Sequence, residues 1–277
     1  MIIPGSASQS LASSLAAELN EPLGIVNYQR FADGEMLVQT PKIQDRAIIV
    51  ASTISSDAHI ELLQLQDAVR RQADEVLTVI PYMGYARQDK LFETGEPISA
   101  AAMASAFSTN TDRILTVNPH VDTIDKFFDI SCTIVNAAPV LADPLPKLTD
   151  PLFLAPDEGA ITLANQVQTA YGEGETDYFV KSRISDVEVQ IQPSDAETRD
   201  RDIVLVDDII ATGSTMSTAI SQLDNPHRIF VSCIHPVLAA NAVTKLSAAG
   251  VSRIYGTDTI EQSVSTVSVA SEIAAHV

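Results

Sequence analysis

Short apolar runs recur along this chain, each closed by polar or small residues, and stretches with helical spacing of apolar side chains lie between them. In the first half RAIIVAS from Arg46, EVLTVIP from Glu75 and RILTVNP from Arg113 predict strands. In the second half PLFLAP from Pro151, DYFVKS from Asp177, DIVLVDD from Asp202 and RIFVSCI from Arg228 do the same. Ala58, Leu62, Leu65 and Val69 fall on one helical stripe, and further helices are expected around 158–171, 214–223 and 239–249. GEPISAAAMASAF, Gly95 to Phe107, has proline near a first helical turn and a face of small residues. Strands alternating with helices predict an α/β protein with mainly parallel sheets flanked by helices.

The pattern also repeats. RAIIVASTISSDAHIELLQLQDAV from Arg46 overlays RDIVLVDDIIATGSTMSTAISQL from Arg201 at a constant offset: basic residue, apolar strand, polar loop, helix. Ser52 and Thr53 then stand where Asp207 and Asp208 stand, so the first copy lacks both carboxylates and the glycine. Two unrelated strand–loop–helix units would give the same overlay, so duplication and coincidence both remain open. APVLADPLPKLTDP, Ala138 to Pro151, holds four prolines and suits a domain boundary.

At 277 residues and 45% hydrophobic, the chain is long enough for one large domain or two ordinary ones. No apolar run approaches the ~20 residues of a membrane helix. MIIPGSASQS lacks the basic start and long apolar middle of a secretory signal, so a cytoplasmic location and no membrane partner are expected. Cys132 and Cys233 are far apart in apolar stretches and read as buried thiols. The net charge of −19, with six lysines among 17 basic residues, argues against a nucleic-acid partner. It reads either as an ordinary solvated acidic surface or as an adaptation to a salt-rich cytoplasm.

Chemistry concentrates at IVLVDDIIATGST, Ile203 to Thr215. Two adjacent carboxylates after an apolar strand are costly to bury unpaired, which places them at an open strand end facing a ligand. Gly213 precedes a helix, where free N–H groups favour an anion, and Thr212, Ser214 and Thr215 add hydroxyl donors. Carboxylates accept hydrogen bonds, so Asp207 and Asp208 suit a polyol or a metal ion, and the loop suits a phosphate. A phosphorylated sugar meets both demands. The same residues also suit a strand end followed by a capped helix. Neither GxxxxGK[ST] nor GxGxxG occurs, and GEG at Gly172 to Gly174 follows a helix and reads as a turn.

Asp-Asp, two apolar residues and a small–Thr–Gly–Ser–Thr loop resemble the phosphoribosyl-diphosphate loop of type I phosphoribosyltransferases. RFADGE from Arg30, PYMGYARQDK from Pro81, GEPISA from Gly95, KSR from Lys181 and DDIIATGST from Asp207, in this order, resemble the ribose-phosphate diphosphokinases. The likeness runs from about Gly5 to about Gly256. Taken alone, RFADGE is a D-G hairpin signal and PYMGYARQDK a connector rich in polar chemistry.

The resemblance implies two tandem phosphoribosyltransferase-like domains, 1–140 and 141–263, with a C-terminal helix at 264–277 that joins the first or extends freely. It implies transfer of the diphosphoryl group of ATP to the anomeric hydroxyl of ribose 5-phosphate, with magnesium required and AMP released. Asp207, Asp208, Ala211, Thr212, Gly213, Ser214 and Thr215 would bind ribose 5-phosphate, with Arg183. Phe31, Asp33, Gly34, Glu35, Arg87 and Gln88 would bind ATP, the first four from a neighbouring subunit, so a homo-oligomer of at least two chains is expected. Lys181 and Arg183, two residues apart on one strand face, match the family's catalytic pair within a flap, YFVKSRISDVEVQI, hinged by Gln192 to Asp200. His120 and Asp157 match metal-associated positions; by themselves His120 reads as a capping or core histidine and Asp157 as a helix cap. The rival readings are a nucleobase phosphoribosyltransferase and a non-catalytic regulatory relative of the synthase.

Overall fold

Each of the seven apolar runs forms a strand. The computed structural model describes the backbone of residues 1–183, 189–193 and 196–277, and the side chains of 1–180 and 196–277. The chain divides into two units: Met1–Asn136 with Asp258–Glu261 and Ser268–Val277, and Ala137–Thr257 with Gln262–Val267.

Unit 1 opens with β1 (Ile2–Pro4), α1 (Gln9–Glu18) and a hairpin of β2 (Asn27–Arg30) and β3 (Met36–Gln39). β4 (Arg46–Val50), α2 (Ser56–Arg70), β5 (Glu75–Ile80), α3 (Ser99–Phe107), β6 (Arg113–Val117) and β7 (Ser131–Val135) follow. The sheet order is β1-β4-β5-β6-β7, parallel throughout. Leu62, Leu65 and Val69 on α2 are fully buried against Ile49, Val76, Ile80 and Phe107, while Ala58 is only half-buried. The helix expected from Gly95 begins at Ser99, and its small face, Ala100 and Ala104, lies in the core.

Unit 2 comprises β8 (Leu152–Ala155), α4 (Ile161–Tyr171), β9 (Glu175–Arg183), β10 (Val189–Pro193), β11 (Asp202–Ile209), α5 (Ser214–Ile220), β12 (Arg228–His235), α6 (Ala242–Ala248), β13 (Arg253–Thr257) and β14 (Ser265–Val267). Its sheet runs β10-β9-β8-β11-β12-β13-β14, parallel except for the β9–β10 pair. β12 is buried along nearly its whole length, as a parallel strand covered on both faces must be. At the base of β11, Asp202 is fully buried. Burial pushes its pKa up, but hydrogen bonds from Arg228, the Thr149 N–H and His227 outweigh this and hold it below the usual carboxylate value.

The C-terminal segment departs from a single helix at 264–277. Residues 265–267 add β14 to unit 2, and only α7 (Ala270–Ala274) is α-helical, packing on α1 in unit 1. Similarly, Glu158–Ala160 is a 3-10 turn leading into α4, and α5 and α6 are shorter than the sequence suggested.

Candidate active site

The strand order of unit 2 creates the site. From β8 the chain moves outward to β9 on one side, whereas from β11 it moves to β12 on the other, so the order reverses between these neighbours. Crevices beyond the carboxyl ends of parallel strands at such a reversal are where ligands bind in open α/β sheets. Asp157 lies just past β8, and Asp207 and Asp208 end β11, its hydrogen-bonded neighbour. The unit 1 sheet runs in one direction without a reversal.

Burial along β11 is complete to Val206 and partial from Asp207 to Ile209, so the carboxylates appear where the strand leaves the core. The Asp207 Oδ1 accepts from the Asp208 N–H at 3.0 Å, and the Asp208 Oδ1 from the Ile209 N–H at 2.8 Å. Burial, then the Asp208 charge and a side-chain hydrogen bond with Asp208, raise the Asp207 pKa to about 8 against the lowering effect of the Asp208 N–H; Asp157 adds to the rise. Three carboxylates therefore converge on one strand edge. Asp157 also caps the following turn, its Oδ1 accepting from the Gly159 N–H at 3.1 Å. The cap reading of this residue holds, and its charge is felt at Asp207 as well.

The loop after β11 is shaped by backbone constraints. Gly213 has φ +70°, and a Cβ there would sit 3.3 Å from the Leu246 Cγ and 3.4 Å from the Ala242 carbonyl oxygen. Any other residue would meet both a left-handed backbone and the surface of α6. Bonds from the Leu238 N–H to the Ile210 oxygen and from the Ala239 N–H to the Ala211 oxygen, 2.9 and 2.8 Å, tie the loop to the segment after β12. Thr212, Ser214 and Thr215 remain exposed, with Thr212 Oγ1 and Ser214 Oγ 3.2 Å apart. Lys245 on α6 donates to the Ser214 Oγ at 2.8 Å. This contact was not foreseen, because a lone lysine on a short helix carries no signal of what lies in front of it.

The offset copy in unit 1 is chemically different. Ser52 Oγ donates to the Thr259 oxygen and accepts from the Tyr82 N–H, and Thr53 Oγ1 accepts from the Gly84 N–H. Hydroxyls there are consumed by backbone groups in the interior, while carboxylates at the matching place in unit 2 stay half-exposed.

Among the other expected residues, Phe31, Asp33, Gly34 and Glu35 form the exposed turn of the β2–β3 hairpin. Asp33 Oδ1 accepts from the Glu35 N–H at 3.1 Å. Arg30 joins this turn to the start of α2 through Asp57, 2.6 Å away. Ser56, beside Asp57, has its Oγ 3.3 Å from the Tyr85 hydroxyl, in the loop that carries Arg87 and Gln88. That loop is fixed at Gly84, where a Cβ would come within 2.2 Å of the Thr53 carbonyl oxygen. Gln88 accepts from Ser99 Oγ at 2.7 Å and from the Ala100 N–H, anchoring α3, and Arg87 is exposed. His120 is exposed in the loop after β6. Lys181 and Arg183 have their backbones in β9, opposite Ile191 and Val189 of β10. Their side chains, residues 184–188 of the expected flap and residues 194–195 of the expected hinge lie outside the described residues.

A magnesium ion fits this donor set in a limited sense. Among the described residues no group of three or more His, Cys, Asp or Glu side chains is arranged to hold a metal by itself. Magnesium in phosphoryl-transfer sites is held by one or two carboxylates plus substrate phosphates and water, and the all-oxygen edge at Asp157, Asp207 and Asp208 suits that arrangement.

Residues 1–110 match the family model of the N-terminal domain of ribose phosphate pyrophosphokinase, and residues 145–266 that of the phosphoribosyl transferase domain. The ribose-phosphate pyrophosphokinase of Halobacterium salinarum is 57% identical, covering 99% of each chain. The protein of that name from Methanothermobacter thermautotrophicus is 39% identical over 99% of this chain and 98% of its own. The crystal structure of phosphoribosylpyrophosphate synthetase from Mycobacterium smegmatis superposes with a TM-score of 0.82 at 25% identity, covering 100% of this chain and 96% of that one.

Proposed function

The chain belongs to the ribose-phosphate pyrophosphokinase family, and we propose that it performs the family's diphosphoryl transfer with the Asp207–Thr215 edge of unit 2 as its sugar-phosphate site. The enzyme transfers the diphosphoryl group of ATP to the anomeric hydroxyl of ribose 5-phosphate, giving phosphoribosyl diphosphate and AMP for nucleotide biosynthesis. The observation that carries the site assignment is the meeting of an acid pair and a hydroxyl-lined loop at the strand-order reversal.

In this reading Asp207, with Asp208 beside it, accepts hydrogen bonds from the ribose hydroxyls and fixes the ring. Ala211, Thr212, Gly213, Ser214 and Thr215 wrap the 5-phosphate. The anomeric oxygen is then aimed at the β-phosphorus of ATP, whose nucleotide rests on Arg87, Gln88 and, from a second copy of the chain, Phe31, Asp33, Gly34 and Glu35. Lys181 stabilises the oxygens of the transferring group and Arg183 helps bind them, because phosphoryl transfer depends on positioning and charge neutralisation more than on covalent help. Asp157, on the oxygen-lined edge, would hold magnesium together with substrate phosphates, and His120 is the other position matched to metal-associated residues; the ion when bound would offset charge on the phosphate oxygens. The protein acts in the cytoplasm as a homo-oligomer; no helix among the described residues is long and apolar enough to cross a membrane.

The test is AMP and phosphoribosyl diphosphate formation by the purified chain from ATP and ribose 5-phosphate. Both products are expected, and Lys181→Ala should lower turnover by orders of magnitude with ATP affinity retained. A chain that makes neither product but consumes phosphoribosyl diphosphate with a nucleobase would instead be a phosphoribosyltransferase. Near-normal turnover by Lys181→Ala would remove that residue from the catalytic role.

A further inference from the structure

We propose that Lys245 is a further substrate-binding residue, supplying the positive charge that pairs with the 5-phosphate of the sugar; the inference rests on the site assignment above and deepens it. Its Nζ lies 2.8 Å from the Ser214 Oγ, inside the loop that would hold the phosphate. The position of α6 is fixed: Ala242 and Leu246 are fully buried, and both press on Gly213. Lys245 is half-buried, one turn after Ala242 and next to Leu246, so its stem emerges beside the loop.

The charge distribution of unit 2 makes this lysine distinctive. Arg199, Arg201, Arg228 and Arg253 precede or begin β11, β12 and β13, and Lys147 precedes β8, so these cations gather at the amino ends of the strands. Arg199, Arg201 and Arg228 are paired with Asp224, with Asp150 and Glu175, and with Asp202 respectively. The opposite edge carries Asp157, Asp207 and Asp208. A phosphate dianion brought there meets hydroxyls and N–H groups from the loop but repulsion from the carboxylates beside it, Asp157 and Asp208. Lys245 is the one described lysine or arginine side chain hydrogen-bonded to that loop, and it makes no ion pair with a described carboxylate. In the ligand-free chain Ser214 holds the ammonium in place; on binding, the ammonium turns from a neutral hydroxyl to the phosphate oxygens, a stronger charge-assisted bond.

Lys245→Met keeps the length of the stem and removes the charge, and Lys245→Arg keeps the charge. With the full chain, KM for ribose 5-phosphate and for ATP, and the melting temperature, are to be measured for both variants beside Asp207→Asn. Lys245→Met should raise the KM for ribose 5-phosphate roughly 10- to 100-fold, the effect of one lost charge-assisted hydrogen bond, with the KM for ATP within about twofold. Lys245→Arg should recover most of the loss. If Lys245→Met leaves the KM for ribose 5-phosphate unchanged while Asp207→Asn raises it, the lysine has no such role and the site assignment stands. Should neither variant change it, the site assignment itself falls. A fall in melting temperature with equal losses for ATP and ribose 5-phosphate, shared by Lys245→Arg, would mark a structural residue and overturn the proposal.

Discussion

Asp207 sets the balance between binding and stability at this site. Burial and the neighbouring Asp208 raise its pKa to about 8, from an ordinary value of 3.8 that the unfolded chain retains. The folded state thus holds a proton that the unfolded state releases across that window. By linkage, the group's contribution to stability falls as pH rises through it. Asp207→Asn removes a carboxylate that the fold disfavours as an anion. It should raise the melting temperature at pH 8 to 9, by roughly 2–4 °C for each kcal/mol relieved, and flatten the decline with pH. The same variant should lose ribose 5-phosphate affinity, since an amide offers one acceptor oxygen where the carboxylate offers two. Thermal scans across pH beside a sugar-phosphate titration check both parts; a lower melting temperature at pH 9 would show that the carboxylate is not strained.

Between elements, the least expected device is the cap of α1. Ser8 precedes this helix, yet its hydroxyl accepts from the Ser52 N–H and makes no cap bond. Glu261 substitutes: its Oε1 accepts from the Ser10 and Leu11 N–H groups at 2.6 and 3.1 Å, and α1 has no acidic residue in its first turn. A carboxylate from the far end of the sequence thereby satisfies the free donors at a helix start. Glu261→Ala should cost about 1 kcal/mol, the usual value of a lost cap. Amide hydrogen exchange at Ser10 and Leu11 should accelerate with it; unchanged protection at both would show that the contact contributes nothing.

Across the assembled chain, 36 acidic residues face 17 basic ones. Several ion pairs lie at the surface with both partners substantially exposed, such as Arg71 with Asp67 and Arg199 with Asp224, and pairs of that kind add little stability. Self-repulsion among the remaining carboxylates is then the main electrostatic term. It is screened as the Debye length contracts from about 10 Å at 0.1 M salt to about 3 Å at 1 M. The melting temperature is expected to rise steadily from dilute to molar KCl. A fall over that range would contradict the dominance of repulsion and the reading of the acidic surface as an adaptation to salt.

How much could be foreseen depended on how local each feature is. The strands at 46–50, 75–80, 113–117, 152–155 and 202–209 announce themselves because a buried strand must be apolar along its own length. The loop from Asp207 to Thr215 announces itself because contiguous residues carry its chemistry. β1, β13 and β14 escaped notice, being short or interrupted by glycine, serine and threonine, with pairing supplied by neighbours distant in sequence. Nothing local fixes the order of strands either. The reversal between β8 and β11, the ammonium of Lys245 on Ser214 and the Glu261 cap join positions about 50, 31 and 250 residues apart. Those contacts follow from which apolar faces pack together, a many-body outcome of core formation, whereas the reactive groups themselves were already spelled out in the order of amino acids.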